Sequence, residues 1–238
     1  MARNVLLNNV EHADLRVAMR HGPEHGDALN QVPVFPTEFA DVSREYPILF
    51  RKDAQGSLQA VALLGLDRDE NLFLGPDGWQ ARYIPAVQRR GPFLIGFRDV
   101  GGTREPMVLI DLDDPRVGDG EPLFLPQGGN TPFLDMVSRT LKALHQGVEV
   151  MPQMFAAFEA EGLIEPIQLE LKVGSERSYL LGDVYTISES RLAGLPGAAL
   201  ERLNRAGFLG AAFLVLASMP NIAALVERKS RRLASTVP

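Results

Sequence analysis

Between Trp79 and Phe93 the chain places its only tryptophan, three arginines (Arg82, Arg89, Arg90) and Tyr83. Aromatic rings stack on flat groups, and guanidinium forks bind carboxylates or phosphates through paired hydrogen bonds, so this mixture suits recognition of planar or anionic groups. A strand ending at Ile84, followed by a helical turn from Pro85 to Arg90, would put Trp79 and Tyr83 on one face and Arg82 on the other. The competing reading keeps Trp79 and Tyr83 in the core and uses the arginines to tie down acidic turns. Glu38, Tyr46, Trp79, Arg82, Tyr83, Arg89 and Arg90 together form the candidate ligand-binding set, with a peptide or small anionic molecule as the ligand. A rival reading makes an enzyme of Glu38, Tyr46, Asp111 and the same arginines, with a carboxylate as general base and Arg as charge clamp.

Other chemistry-bearing residues have plainer explanations. His21 and His25 have a spacing that could ligate a metal on a helix, but Gly22, Pro23 and Gly26 break the helix, so HGPEHGD reads as a solvated loop. His145 fits near a helix C-terminus, where the dipole favours it. Asp111, Asp113 and Asp114 offer oxygen ligands for a hard cation, yet Pro115 follows directly and a charged turn accounts for them. Arg228, Lys229, Arg231 and Arg232 could meet a membrane surface or a partner, and equally suit the last turns of a helix. Gly101-Gly102 and Gly128-Gly129 lack the order of a phosphate cradle and read as turns, and no GxSxG or HExxH occurs. No metal or cofactor is implied.

Composition narrows the setting. The 238 residues are 45% hydrophobic and 23% charged, an ordinary globular balance. A net charge of -6 supplies no positive field for a polyanion, so nucleic acid is not expected as a partner. The chain has no cysteine, which excludes disulfides and thiolate chemistry. The N-terminal apolar run is broken by Asn8 and Asn9 and resembles no secretory signal, so a cytoplasmic location is expected. The apolar run Phe208 to Met219 is shorter than the roughly 20 residues a membrane span needs and reads as a core helix, with no transmembrane segment expected.

These residues must be positioned by an α+β fold: an antiparallel, strand-rich N-terminal half packed on a helical C-terminal half that carries an additional hairpin, all in a single domain over 1–238. Strands are expected at Ile48–Arg51, Ala60–Leu66, Asn71–Leu74, Gln80–Ile84, Leu94–Arg98 and Met107–Asp111, joined by Gly-, Asp- and Pro-rich turns as a meander within 32–111. A helix pair follows over 131–162. Thr131 caps the first helix, Phe133, Val137, Leu141 and Leu144 repeat at helical spacing, and Gly147 ends it. The second runs from Pro152 to Glu161 and stops at Gly162, presenting Met154, Phe155 and Phe158. A hairpin over 167–187 turns at Gly174–Arg177, and helices fill 188–234, beginning with one capped by Ser188.

Many separate segments resemble the SapC family of bacterial proteins, which is distinct from the transporter permeases of that name. They are Asn4 and His12, PTEF at 36–39, YPILF at 46–50, ALLGL at 62–66, ENLF at 70–73 and Gly78-Trp79. ARYIPA with the following arginines and PF spans 81–93, and LFLPQGG lies at 123–129. LIEPIQL at 163–169, LLGDVYTISE at 180–189 and the run from Leu203 to Ser218 around RAGFL complete the set. The resemblance implies association with a paracrystalline surface layer, after which the family is named. It also implies an accessory role beside a partner enzyme, since similar proteins are often encoded near TonB-dependent receptors and tryptophan-halogenase-like or cupin-like enzymes. It carries no catalytic residues.

Overall fold

A computed structural model describes residues 3–174 and 177–235. In chain order the elements are β1 (Asn4–Leu6), β2 (Arg16–Val17), β3 (Gln31–Pro33), α1 (Phe39–Val42), β4 (Ile48–Lys52), β5 (Leu58–Leu63), β6 (Leu74–Gly75) and β7 (Gly78–Trp79). Then come α2 (Ala86–Arg89), β8 (Phe93–Val100), β9 (Thr103–Asp111), β10 (Glu121–Pro122), α3 (Pro132–Ala160), β11 (Ile164–Val173) and β12 (Arg177–Ile187). The C-terminal helices are α4 (Glu189–Ala193), α5 (Gly197–Arg205), α6 (Phe208–Ser218) and α7 (Asn221–Ala234). Antiparallel sheets built largely from the N-terminal half, with the helices concentrated after them, make the fold α+β.

The expected single meander divides into two main sheets. One is five-stranded with the order β11-β12-β4-β5-β3, and the other is three-stranded with the order β1-β9-β8. The late hairpin is therefore part of the N-terminal sheet, joined to it where Tyr185 pairs with Phe50. Asp53 turns the β4–β5 hairpin by accepting the Gln55 and Ser57 N–H groups at 2.9 and 2.8 Å. Asn71–Leu74 and Gln80–Ile84 do not form the strands that their apolar patterns suggest. Only the two-residue strands β6 and β7 pair there, because the backbone on either side is satisfied otherwise: Phe73 N–H bonds the Asn71 side chain, and the N–H groups of Arg82 and Tyr83 bond Glu45. The turn expected at Gly174–Arg177 lies partly on residues 175 and 176, outside the described residues.

Thr131 caps α3 as expected, its hydroxyl accepting the Leu134 N–H at 3.3 Å. The helix pair, however, is one helix of 29 residues that passes through both Gly147 and Pro152. Gly147 is needed for packing: a Cβ there would lie 2.4 Å from Cβ of Phe35. Continuity lets one helix serve two cores. Leu134, Val137 and Leu141 pack with Phe93, Ile110 and Leu123 of the smaller core. Met154, Phe155 and Phe158 enter the larger one, with Phe50, Ala62 and the C-terminal residues Leu203, Phe208, Val215 and Leu225.

The inward side of α6 is buried, as a core helix requires, while Phe213 is 54% exposed. The apolar character also continues beyond Met219. Phe208–Ala234 spans 27 residues with a mean hydropathy of 2.0 in its most apolar window, long and apolar enough by length and composition to cross a membrane.

Candidate functional site

Five of the seven sequence-selected residues meet in one hydrogen-bonded cluster. Glu38, buried at the end of the turn Pro36–Glu38, accepts the Tyr83 hydroxyl and the Ala86 N–H on Oε2, both at 2.8 Å. Its Oε1 accepts the Phe35 N–H at 3.2 Å. Trp79 donates Nε1–H to the Tyr46 hydroxyl at 2.8 Å, and that hydroxyl donates to the Tyr83 carbonyl at 2.5 Å. Arg89 lies with its guanidinium carbon 4.8 Å from the Tyr83 ring centre, Nη2 3.5 Å from the phenol oxygen, and a buried Nε that has no hydrogen-bond partner among the described residues.

Local sequence explains the assembly. Pro85 fixes the entry to α2 and brings the Ala86 N–H, free at a helix start, onto the carboxylate. Glu45 holds the preceding turn by accepting the Arg82 and Tyr83 N–H groups.

Burial and the Glu38 charge set how the groups of the cluster titrate. Burial raises the Glu38 pKa, opposed by the donors at Ala86, Tyr83 and Phe35 and by the Arg89 charge. Burial also raises both tyrosines well above the ordinary phenol value, and for Tyr83 the Glu38 charge adds to it. Both phenols are hydrogen donors at neutral pH. The arrangement fixes the 79–89 segment against the turn at Glu38.

The remaining two arginines go elsewhere. Arg82 is exposed beside Asp41, Arg44 and Glu45 on a shallow polar depression of about 430 Å3. Arg90 donates to the Phe93 carbonyl at 2.7 Å, and burial followed by the nearby Arg116 charge lowers its pKa. Asp111 accepts the Arg3 N–H at 2.9 Å at the end of β9, apart from the cluster. Of the other acidic residues, Asp114 clamps Arg116 at 2.8 and 2.6 Å. Among the described residues no group of three or more His, Cys, Asp or Glu is placed to hold a metal ion.

Two sequence readings need correction. HGPEHGD is a loop, but not a solvated one: the side chains of His21 and His25 are each 8% exposed, and that of Asp27 is 2% exposed. Asp27 accepts His21 Nδ1 at 3.2 Å and the Gly22 N–H at 3.0 Å on one oxygen, and Gln88 Nε2 at 2.9 Å on the other. The basic tail is also used internally. Lys229 bridges Asp67 and Glu70 at 2.5 and 2.6 Å, Arg232 donates to the carbonyls of Asn71 and Leu74, and Arg228 lies 4.4 Å over the Phe73 ring. Helix-dipole reasoning misses these contacts because their partners lie about 160 positions away.

A second feature had no sequence signal. An open groove of about 600 Å3 lies between β5 and the C-terminal half of α3, lined by Phe35, Leu58, Met151, Phe155 and Ala156 together with Asp53 and Glu159. Pro152 forms part of the same wall, and lacking an N–H it leaves the Val148 carbonyl without its usual helical donor. Odd residues of β5 bond towards β4 and even ones towards β3: the Leu63 N–H reaches the Pro47 carbonyl and the Leu64 N–H that of Asn30. β3 pairs with β5 only from Leu63 to Val61, and the Val34 N–H bond to the Ala60 carbonyl follows at 3.0 Å. Leu58 therefore directs its backbone N–H and C=O to the side where the neighbouring chain has turned away.

Comparison with known proteins agrees with the segments quoted above. The SapC family model matches residues 7–225, and the chain belongs to the SapC family. No curated protein matches the chain. No solved structure matches it either.

Proposed function

We propose that this SapC-family protein is a peptide-binding accessory protein, whose ligand is an extended segment seated in the groove between the end of β5 and α3. The observation that carries the reading is that β5 outlasts its neighbour. Leu58 offers a donor and acceptor that are unpaired among the described residues, beside an apolar floor, and such an edge takes an added strand through main-chain bonds while adjacent pockets take side chains. Leu58, Met151 and Phe155 suit an apolar side chain. Asp53 and Glu159 favour a Lys or Arg next to it, and disfavour a small anionic ligand at this place.

The cluster selected from sequence supports this reading indirectly. Phe35 forms one wall of the groove, and its N–H is held by Glu38, which is held in turn by Tyr83 and α2. In this reading Trp79, Tyr83 and Arg89 fix the shape of the groove rather than touch the ligand.

The test is selection of peptides from a random library on the immobilised protein. Selected peptides are expected to carry an apolar residue beside Lys or Arg. Their binding should weaken at least tenfold with Ala156→Arg, which fills the groove, by roughly the 1.4 kcal/mol that a tenfold change represents. Leu58→Pro should do the same, since it removes the outward N–H that an added strand would use together with the leucine side chain of the floor. Selected peptides that bind both folded variants as well as the parent would refute the proposal.

A further inference from the structure

The sheet that carries the groove has a second edge. β11 stands at the opposite end of the strand order from β3, and its ten residues pair on one side only. The phase is set just before it, where the Leu163 carbonyl accepts the Ser188 N–H at 2.7 Å, so odd-numbered residues bond towards β12 and even-numbered ones outwards. The irregularity between Ile167 and Leu169 adds its extra residue to β12 and leaves the alternation of β11 intact. Pro166 falls on the outward side, where a missing N–H breaks no bond. Among the described residues nothing pairs with the outward main-chain groups of Gln168, Glu170 and Lys172.

An open edge of this length is a template for another strand, and a lone charge on it repels a second copy. Here the charges are matched instead. Side chains alternate, with Leu171 and Val173 buried and Gln168, Glu170 and Lys172 exposed. Among the described residues Glu170 accepts only the Ser178 hydroxyl, at 3.3 Å, and Lys172 has no ion-pair partner. When two copies of β11 meet antiparallel about Leu171, each Glu170 lies directly opposite Lys172 of the second copy, in a pair that exchanges main-chain bonds. Leu169, Leu171 and Val173 then continue one apolar face across the junction, with Leu171 opposite itself. Moving the axis to Glu170 would set that carboxylate against its own copy. Moving it to Leu169 would place Pro166, which has no N–H to give, opposite Lys172. Charge and proline together select one register.

We propose that the chain forms a two-fold dimer through antiparallel pairing of β11 with β11 of a second copy. The interface is isologous, as a two-fold axis requires: Glu170 meets Lys172, and Lys172 meets Glu170. It joins the two five-stranded sheets into one and leaves both β3 edges, with their grooves, at the far ends.

Sedimentation equilibrium of the full chain tests it. The parent should be a dimer that dissociates on dilution, and more readily at high salt. Glu170→Lys sets like charges opposite each other twice and should weaken the dimer at least tenfold, and Lys172→Glu should do the same. The two changes together restore the match and should return the affinity to that of the parent. Because the chain has no cysteine, the thiol in Leu171→Cys can meet only its own counterpart. Mild oxidation should then link two copies, whereas Gln168→Cys, held far from its counterpart by this register, should not link. A parent that stays monomeric across the concentration range, a dimer as tight in Glu170→Lys as in the parent, or a double variant as weak as the single ones would overturn the proposal. Each of these outcomes leaves the peptide groove untouched, since β11 lies at the other end of the sheet.

Discussion

Tyr83 donates its hydroxyl hydrogen to Glu38 at 2.8 Å, joining residues 45 positions apart and fixing α2 against the turn that carries Phe35. Removing the hydroxyl leaves the ring and its stacked arginine in place but takes one donor from a buried carboxylate. Tyr83→Phe should therefore cost about 1–3 kcal/mol, the usual penalty for a buried acceptor that loses its partner. Tyr83→Ala should cost more, since the contact with Arg89 at 4.8 Å is lost as well. Urea unfolding checks both: the midpoint should fall with little change in slope.

Glu38 gives a pH signature of the same cluster. Burial raises its pKa in the folded protein above the ordinary carboxylate value near 4.3. Its contribution to stability is then greatest below that ordinary value and is lost as pH rises through the folded one. Relative to Glu38→Gln, which does not titrate, the parent should lose stability as pH rises from the ordinary carboxylate range through the raised pKa. Unfolding midpoints of both proteins across that range decide it: a constant difference would mean that the hydrogen bonds fully offset the burial.

The parts of this fold that could be read from sequence are those set by local chemistry. Thr131-Pro132 announces the start of α3, and Asp53–Ser57 and Gly101-Gly102 mark hairpin turns. What could not be read depends on distant partners. Gly147 and Pro152 carry the local signature of a helix end and a helix start, and only the approach of Phe35 and burial in two cores explain why the helix continues. The pairing of β12 with β4 is equally non-local. At the site, composition singled out Trp79, Tyr83 and Arg89, but not that their polar atoms are turned to one another. The groove at Leu58 arises from the early end of β3, and Asp27 meets His21 through a loop with no periodicity, so neither leaves a pattern in the chain.

Gly147→Ala tests the reading of α3 with a sign opposite to helix propensity. In an unencumbered helix interior the change would stabilise by about 1 kcal/mol. Here the new Cβ would lie 2.4 Å from Cβ of Phe35 and 2.9 Å from Oγ1 of Thr37. One of these must move, and Thr37 is itself bonded to the Ala143 carbonyl at 3.1 Å. A net loss of about 1–3 kcal/mol is expected, as for other overpacked positions. Because Phe35 lines the groove, affinity for selected peptides should fall as well. A more stable variant would show that the contact relaxes freely.

Lys229 joins α7 to the loop that precedes β6, and only 4% of its side chain is exposed. Burial alone would lower its pKa, but the bonds to Asp67 and Glu70 outweigh it and raise the value. Glu70 is committed on both oxygens, since Oε2 also accepts the Leu66 N–H at 3.1 Å. Lys229→Met would keep the aliphatic stem and remove the charge, leaving Glu70 buried beside Asp67 with no cation between them. Breaking a buried pair on one side costs about 3–5 kcal/mol, and because Asp67 is half exposed the lower end applies. The double variant Lys229→Met with Glu70→Gln should recover part of that loss. Since the folded pKa is raised, the lysine's contribution is complete below its ordinary value near 10.4 and is lost as pH climbs through the folded value. Thermal unfolding of the parent should therefore weaken in strong alkali more steeply than that of Lys229→Met, and parallel curves would place the stabilisation in the stem rather than in the charge.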